Sequence, residues 1–362
     1  MNMKLKQVGE FGLIDLIRKR VFSKGKEVVL GIGDDAAILK LNKSNLQLLT
    51  TDALVEKIHF DLDYFPLEAV GWKGMVANLS DIAAMGGVPK AAVVTLGINN
   101  RFKVEEILSL CSGISKAAKR FNCPIVGGDI VLSPRNLFLS IAILGEVKKG
   151  LAVRRIGARV GDLIAVTGDL GSSSAGLEYL KLNKKPRSSS PSGSPLGARL
   201  SAKPREAEGS RGKPREAEGE ATGFARKFLY PLPRLKEAQL ITRFLKPKAM
   251  IDISDGLSSE AYHLTVENGL GANIYENNLP ISKIALKIAE GDKKKALHYA
   301  FNSGEEYELL FAFDGTRISQ FRKLSRKIKI SIIGKVTRER KIRLTESDGK
   351  SRSLSYKGYT HF

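Results

Sequence analysis

The sequence predicts an α/β protein built of two units. Its 362 residues exceed one ordinary domain, which runs to roughly 100–200 residues. A hydrophobic content of 43% supplies enough apolar side chains for sizeable cores. Between residues 67 and 147, helical and extended patterns alternate, as they do when helices layer on a sheet. The expected division is 1–150 and 151–362, with an insertion in the second unit at 184–222.

The elements follow in chain order. Residues 10–21 carry Phe11, Leu13, Ile14, Leu16, Ile17 and Val21 at helical spacing. Strands are expected at 28–32, 36–41 and 46–51. If the strands around residues 42–45 pair as a hairpin, Asp35 and Asp52 come to the same end of one sheet. Residues 67–85 read as a long helix with small residues that let a partner backbone approach, stopped by Gly86-Gly87-Val88-Pro89. A strand at 90–98, a helix at 104–121 and a short strand at 124–126 follow, the last ending in Gly127-Gly128-Asp129. A strongly apolar strand spans 136–147.

The second unit opens with a strand at 163–166 that enters Thr167-Gly168-Asp169-Leu170-Gly171-Ser172, then a helix. Glycines and hydroxyls at a strand-to-helix turn form an anion-binding nest. The spacing matches neither a Walker A loop nor a dinucleotide fingerprint. Residues 184–222 are rich in Ser, Pro, Gly and charge, and Lys203-Pro204-Arg205-Glu206-Ala207-Glu208-Gly209 recurs as Lys213-Pro214-Arg215-Glu216-Ala217-Glu218-Gly219. The segment reads as a disordered surface insertion or, alternatively, a basic partner-binding arm. Its deletion is expected to spare both folding and activity. Helices at 231–245 and after Asp255, and strands at 250–251, 272–275, 328–336 and 341–344, complete the unit. A glycine turn at Ser303-Gly304 leads into a strand with acids at its mouth.

Composition narrows the function. Two cysteines, Cys111 and Cys123, give neither a disulfide framework nor metal spacing, and a reducing cytoplasm is the simplest inference. No apolar run approaches the ~20 residues that span a bilayer, and no signal peptide is expected. The formal charge of +21 is spread along the chain, aromatics are 7%, and no RNA- or DNA-binding signature interleaves them. That argues against specific nucleic-acid binding and for attraction to anionic small substrates.

Acidic punctuation carries the chemistry. Asp34 and Asp35 follow Gly31 and Gly33, and Asp52 follows Thr50 and Thr51. Asn78 and Asp81 share a helix face. Asp129 ends a glycine pair, while Asp252, Ser254 and Asp255 punctuate a strand end. Each group reads either as a local turn or N-cap or as a metal-binding edge. Hard carboxylate oxygens suit Mg²⁺, which takes one or two carboxylates plus substrate phosphates. His59 lies near the Asp52 turn and reads either as a packed residue or as a substrate contact.

In order, these stretches resemble the thiamine-monophosphate kinase family, of the superfamily that includes aminoimidazole ribonucleotide synthetase. The carriers are Gly31-Ile-Gly-Asp-Asp-Ala-Ala, Thr50-Thr-Asp-Ala-Leu-Val-Glu, His59-Phe60, Asn78-Leu-Ser-Asp-Ile-Ala-Ala-Met-Gly-Gly, Gly127-Gly-Asp, Gly161-Asp-Leu-Ile-Ala-Val-Thr-Gly, Ile251-Asp-Ile-Ser-Asp-Gly-Leu, Ser303-Gly-Glu-Glu-Tyr-Glu-Leu and Lys357-Gly-Tyr. They span the chain apart from 184–222. The resemblance implies a two-domain synthetase-like fold, with an N-terminal mixed sheet forming the core of a homodimer and a C-terminal α/β domain. It implies phosphorylation of thiamine monophosphate by ATP with several Mg²⁺, by direct in-line transfer without a covalent or general-base residue. It further implies Asp35, Thr50, Thr51, Asp52, Asp81, Asp129, Asp252 and Asp255 as metal ligands. Gly128, Asp129, Arg155 and Ser254 are implied as ATP contacts, and His59, Glu305 and Tyr359 as substrate contacts. Glu306 departs from the family, which usually has Asp there, and leaves the role of that position open.

Other readings have discriminators. Selenophosphate synthetase would carry a reactive Cys before Gly31, and the chain has none there. A hydrogenase-maturation relative would end in a Cys-bearing tail, whereas this chain ends Thr360-His361-Phe362. Aminoimidazole ribonucleotide synthetase lacks the His59 context and the Gly-Tyr tail. A non-catalytic nucleotide- or RNA-binding module is the remaining alternative. A complete set of aspartates argues against it, since unpaired carboxylates repel one another.

Overall fold

A computed structural model describes residues 27–30, 34–40, 44–183 and 223–354. The helix expected at 10–21, the glycines Gly31 and Gly33, the 184–222 insertion and Tyr359 lie outside the described residues. The architecture is mixed α/β with two mixed sheets.

The first sheet contains β1 (Val28–Leu30), β2 (Ala37–Leu39), β3 (Asn45–Val55), β4 (Val88–Ile98), β5 (Ile125–Leu132) and β6 (Phe138–Lys148), in the order β1-β2-β3-β6-β4-β5. β2 and β3 pair antiparallel, with Ala37 opposite Leu49, so the expected hairpin forms. β3 runs on to Val55, which places Asp52 within a strand rather than at its end. β5 also overruns its expected end: it passes straight through Gly127-Gly128-Asp129 and pairs parallel with β4. Backbone pairing there prevails over the turn preference of paired glycines.

Helices α1 (Leu67–Ala84) and α2 (Val104–Arg120) cover one face of this sheet. They approach closely because glycines face each other's backbones. A Cβ on Gly71 would stand 2.1 Å from the Leu110 carbonyl oxygen, and one on Gly113 would stand 1.8 Å from that of Glu68. α1 is buried along nearly its whole length, because the second unit covers the side that the sheet and α2 leave open. Trp72 Nε1 donates to the Pro231 carbonyl at 2.8 Å. Ala225, Phe228 and Leu229, from a helical stretch over 223–229, join the first unit's core.

The second sheet contains β7 (Leu163–Thr167), β8 (Ala249–Asp252), β9 (Gly271–Tyr275), β10 (Leu309–Phe313), β11 (Ile330–Thr337), β12 (Ile342–Thr345) and β13 (Ser351–Ser353), in the order β13-β12-β9-β11-β7-β10-β8. Helices α3 (Ser172–Leu182), α4 (Leu235–Phe244), α5 (Leu257–Thr265), α6 (Lys283–Ile288), α7 (Lys293–Asn302) and α8 (Ile318–Leu324) pack around it. α4 starts later than the expected 231 because Pro231 and Pro233 lack N–H groups and hold the preceding residues extended. The pattern reading omitted α7, although Asp292 caps it through the Lys294 and Lys295 amides. Among the described residues, no helix is long and apolar enough to cross a membrane.

Candidate active site

Side-chain alternation along β3 decides what faces the second unit. Thr50 and Leu54 are buried on the helix-covered face, and Asp52 shares their parity. Thr51 has the opposite parity, and its hydroxyl donates to the Ile141 carbonyl at 3.1 Å. The Thr51 side chain therefore stays on the sheet's other face. From α1, Asp81 reaches the β3 face and accepts a 2.5 Å hydrogen bond from Thr50 Oγ1. From the second unit, Asp252 at the end of β8 accepts from Ser80 Oγ at 2.6 Å. Ser80 and Asp81 are successive residues on α1, so one helix turn grips both units.

Asp35, Asp52, Asp81 and Asp252 thus meet across the junction of the two sheets. Burial raises Asp81 well above the ordinary carboxylate value, and the charges of Asp52, Asp252 and Asp35 push it further. Burial likewise raises Asp35 well above its ordinary value against the pull of Arg155, with Asp252 and Asp34 adding to the rise. Asp252 is pushed up to about 7, chiefly by burial, with Asp52 and Asp255 adding and Ser80 opposing. Asp52 is open to solvent on one side, but the protein enclosing its carboxyl raises it too.

Among the described residues, Arg155 brings a cation to this cluster. Arg155 Nη2 stands 3.6 Å from Asp35 Oδ1, and Arg155 Nε stands 3.7 Å from Asp34 Oδ1. Burial disfavours the Arg155 charge, but the Asp35 and Asp34 carboxylates outweigh it and hold the guanidinium protonated. Asp34 also accepts from the Arg155 amide at 3.3 Å, so it orients Arg155 beside Asp35.

The neighbouring edge holds Ser254, Asp255 and a residue the pattern reading treated only as helix. Glu260, on α5, is 1% exposed and accepts from the Asp255 amide at 3.0 Å through Oε1. Its Oε2 is buried with no hydrogen-bond partner among the described residues, as is Asp35 Oδ2. Burial raises Glu260 well above its ordinary value, and Asp255 and Asp252 add to that.

These features fit divalent metal. Among the described residues, the buried carboxylates outnumber Arg155, and two of their oxygens have no donor. Among the described residues, no three His, Cys, Asp or Glu side chains crowd closely enough to ligate one ion by themselves. A ring of separated carboxylates suits Mg²⁺ that takes one or two protein oxygens each and completes its octahedron with substrate and water.

Tyr307 and Glu305 border the cluster. Tyr307 is buried, and its phenol is raised well above its usual value, first by burial and then by Glu305, Asp52, Asp252 and Asp81. Glu305 and Tyr307 both have left-handed backbones, with φ of 59° and 52°. Their amides are tied to the Ser254 and Ile253 carbonyls at 2.6 and 2.9 Å. His59 Nδ1 accepts from the Val55 amide at 3.0 Å, which leaves the proton of a neutral ring on Nε2.

Not every expected residue joins the cluster. Gly128 and Asp129 lie on β5, three strands from β3 in the sheet order, which is roughly 14 Å at the usual strand spacing. Asp129 pairs with Thr95 and takes the parity opposite to that of Asp52. It is exposed, and its Oδ1 accepts from the Ile130 amide.

The glycine-rich nest entering α3 is filled by the chain itself. Glu306 Oε1 accepts from the Ser173 amide at 3.0 Å and from Ser303 Oγ at 2.8 Å, while Oε2 pairs with Lys227 at 2.6 Å. This gives position 306 a structural role. Beside it, a cavity of about 220 Å³ is lined by Lys227, Arg234 and Glu308. Its basic groups are matched by carboxylates of the chain, including Lys227 to Glu308 at 2.9 Å and Arg234 to Glu308 at 2.5 Å.

Comparison with known proteins identifies the chain's relatives. Residues 33–147 match the family described as AIR synthase related protein, N-terminal domain. A thiamine-monophosphate kinase of Aquifex aeolicus (strain VF5) is 34% identical over 360 residues, covering 99% of this chain and 100% of its own length. A thiamine-monophosphate kinase of Bacillus subtilis (strain 168) is 31% identical over 356 residues, covering 98% and 99%. The solved structure of AaThiL complexed with AMPPCP and TMP superposes with a TM-score of 0.79 at 32% identity, over 100% of both chains.

Proposed function

We infer the chemistry of this protein from its kinship: the chain belongs to the thiamine-monophosphate kinase family. It is an ATP-dependent phosphotransferase that converts thiamine monophosphate to thiamine diphosphate. The convergence of Asp35, Asp52, Asp81 and Asp252 beside Arg155 carries the reading at the level of the site. ATP and thiamine monophosphate both carry phosphate, so they repel each other and the aspartates alike.

We propose that several Mg²⁺ reconcile these charges. Asp35, Asp52, Asp81 and Asp252 would hold them, with Asp255 and the Thr50 hydroxyl at the same edge. Thr51 and Asp129, which the resemblance also implies as ligands, stand on the opposite face of the sheet from these carboxylates. When bound, Mg²⁺ neutralises phosphate charge and holds the reactants in line. Arg155, oriented by Asp34, offers a guanidinium fork to ATP phosphate. Ser254 is a proposed ATP contact beside it. His59 and Glu305 are proposed contacts for thiamine monophosphate, as is Tyr359.

In the proposed step, an oxygen of the thiamine phosphate attacks the γ-phosphorus, the bond from that phosphorus to the β-bridging oxygen breaks, and ADP leaves. The nucleophile is already ionised near neutral pH, so the chain need supply no general base and forms no phosphoenzyme.

We further propose a homodimer joined along the first sheet. All eight residues of β5 are exposed, and Val126, Ile130 and Leu132 are 65, 69 and 71% exposed. An unpaired apolar edge strand is a template for pairing. The proposed ATP contacts Gly128 and Asp129 would lie at that seam. The free thiols of Cys111 and Cys123 suit a cytoplasmic setting.

An assay of purified protein with ATP and thiamine monophosphate tests the function. Thiamine diphosphate should form with Mg²⁺ and not with EDTA. Asp52→Asn should lower turnover about a hundredfold or more with the circular dichroism spectrum unchanged. No product from wild-type protein in Mg²⁺ would remove the activity, and wild-type turnover by the variant would remove the metal scheme.

A further inference from the structure

We propose that Lys73 is a positioning residue that aims Glu305 at thiamine monophosphate. The proposal rests on the reading of Glu305 as a substrate contact. Lys73 lies in the middle of α1, and its side chain is completely buried. It crosses from the first unit to the second, where its ammonium pairs with Glu305 Oε2. The rings of Phe228 and Phe65 flank the ammonium, with their centroids 4.2 and 5.0 Å away.

A buried lysine is a poor choice for packing alone. Removing an ammonium from water is costly, and a hydrophobic residue of similar volume usually serves a core at least as well. Here the burial is partly offset by the two ring faces and the carboxylate. What the arrangement achieves is orientation. Glu305 is 26% exposed, so its carboxylate spans a boundary, with one oxygen held by Lys73 and the side chain still open to solvent. Its backbone is held left-handed at φ 59° by the bond to the Ser254 carbonyl, a strain of the kind that persists where surrounding structure fixes a functional side chain. Backbone and side chain are thus both pinned, from opposite units. The local sequence carries no sign of this pairing, because Lys73 sits among apolar helix residues far from Glu305 in the chain.

A double-mutant cycle with separate substrate titrations tests this. Glu305→Gln should raise KM for thiamine monophosphate about tenfold and leave KM for ATP within about twofold. Lys73→Met should do the same, and the double variant should be no worse than either single one. Effects that multiply in the double variant, or a Lys73→Met that shifts both KM values alike, would reduce Lys73 to a structural role and overturn the proposal. A shifted Glu305→Gln beside an unshifted Lys73→Met would also remove it, while leaving Glu305 as a contact. An unshifted Glu305→Gln would remove the underlying reading and the proposal together. If Lys73→Met does not fold, Phe228→Leu takes its place in the cycle. Losing that ring should raise KM for thiamine monophosphate about threefold, in the wild-type background alone.

Discussion

At the scale of single residues, the carboxylates of the cluster are held in a state that the metal-free chain tolerates poorly. The Asp252 carboxyl moves from an ordinary 3.8 to about 7 on folding, and Asp35 and Asp81 move the same way. The folded form therefore holds these protons more tightly than the unfolded form. For Asp252 the stability this contributes is complete below pH 3.8 and is lost as pH rises through about 7; for Asp35 and Asp81 the loss runs in the same direction. Magnesium binds the ionised carboxylates and should oppose the loss. Calorimetry of EDTA-treated protein should show the melting temperature falling between pH 5 and pH 8, with Mg²⁺ restoring it most at pH 8. A melting temperature that is flat with pH and indifferent to Mg²⁺ would contradict the placement of these groups.

At the scale of elements, the loop from Ser303 to Leu309 is clamped on two sides. Lys73 and Phe228 stand behind Glu305, while Lys227 and Arg234 hold Glu306 and Glu308. Glu308 is fully buried; burial alone would raise its carboxyl, but Lys227 and Arg234 overturn that and hold it below its usual value. Gly168 makes room for the network, since a Cβ there would stand 2.2 Å from Glu308 Oε1 on a backbone with φ +58°. Arg234→Met leaves Glu308 buried with one cation instead of two and should cost about 3 kcal/mol. Urea titration checks this, and a cost under about 0.5 kcal/mol would show that Lys227 suffices.

The same elements show what a sequence reveals. The β2–β3 hairpin, the helix bearing Asp81 and the strand ending at Asp252 follow from local pattern, because apolar periodicity and turn residues are local quantities. Paired glycines misled at β5, where strand pairing overrode turn preference. The glycine-rich nest entering α3 looked ready for an external anion and instead holds Glu306. Contacts such as Ser80 to Asp252 join residues 172 apart, and no window of sequence displays them. Glu260 was invisible as a site residue because an acid in the first turn of a helix is ordinary. Its burial beside Asp255 is a tertiary fact.

At the scale of the whole molecule, two sheets meet so that α1 serves both and the aspartates face one another across the seam. The second seam, along β5, is where two copies are proposed to join. Ile130→Asp should convert a dimer to a monomer, as read by light scattering after gel filtration, because a charge would be forced into an apolar strand pairing. A variant that remains dimeric would place the interface elsewhere. The claim underlying the account is that the aspartates at the inter-sheet seam hold divalent ions between two phosphate-bearing substrates. Anomalous diffraction from crystals grown with Mn²⁺, a non-hydrolysable ATP analogue and thiamine monophosphate tests it most directly. Manganese peaks should lie within about 2.5 Å of carboxylate oxygens of Asp35, Asp52, Asp81 and Asp252 and also contact both substrates' phosphates. Peaks confined to other surfaces, with these four carboxylates unliganded beside bound nucleotide, would contradict it.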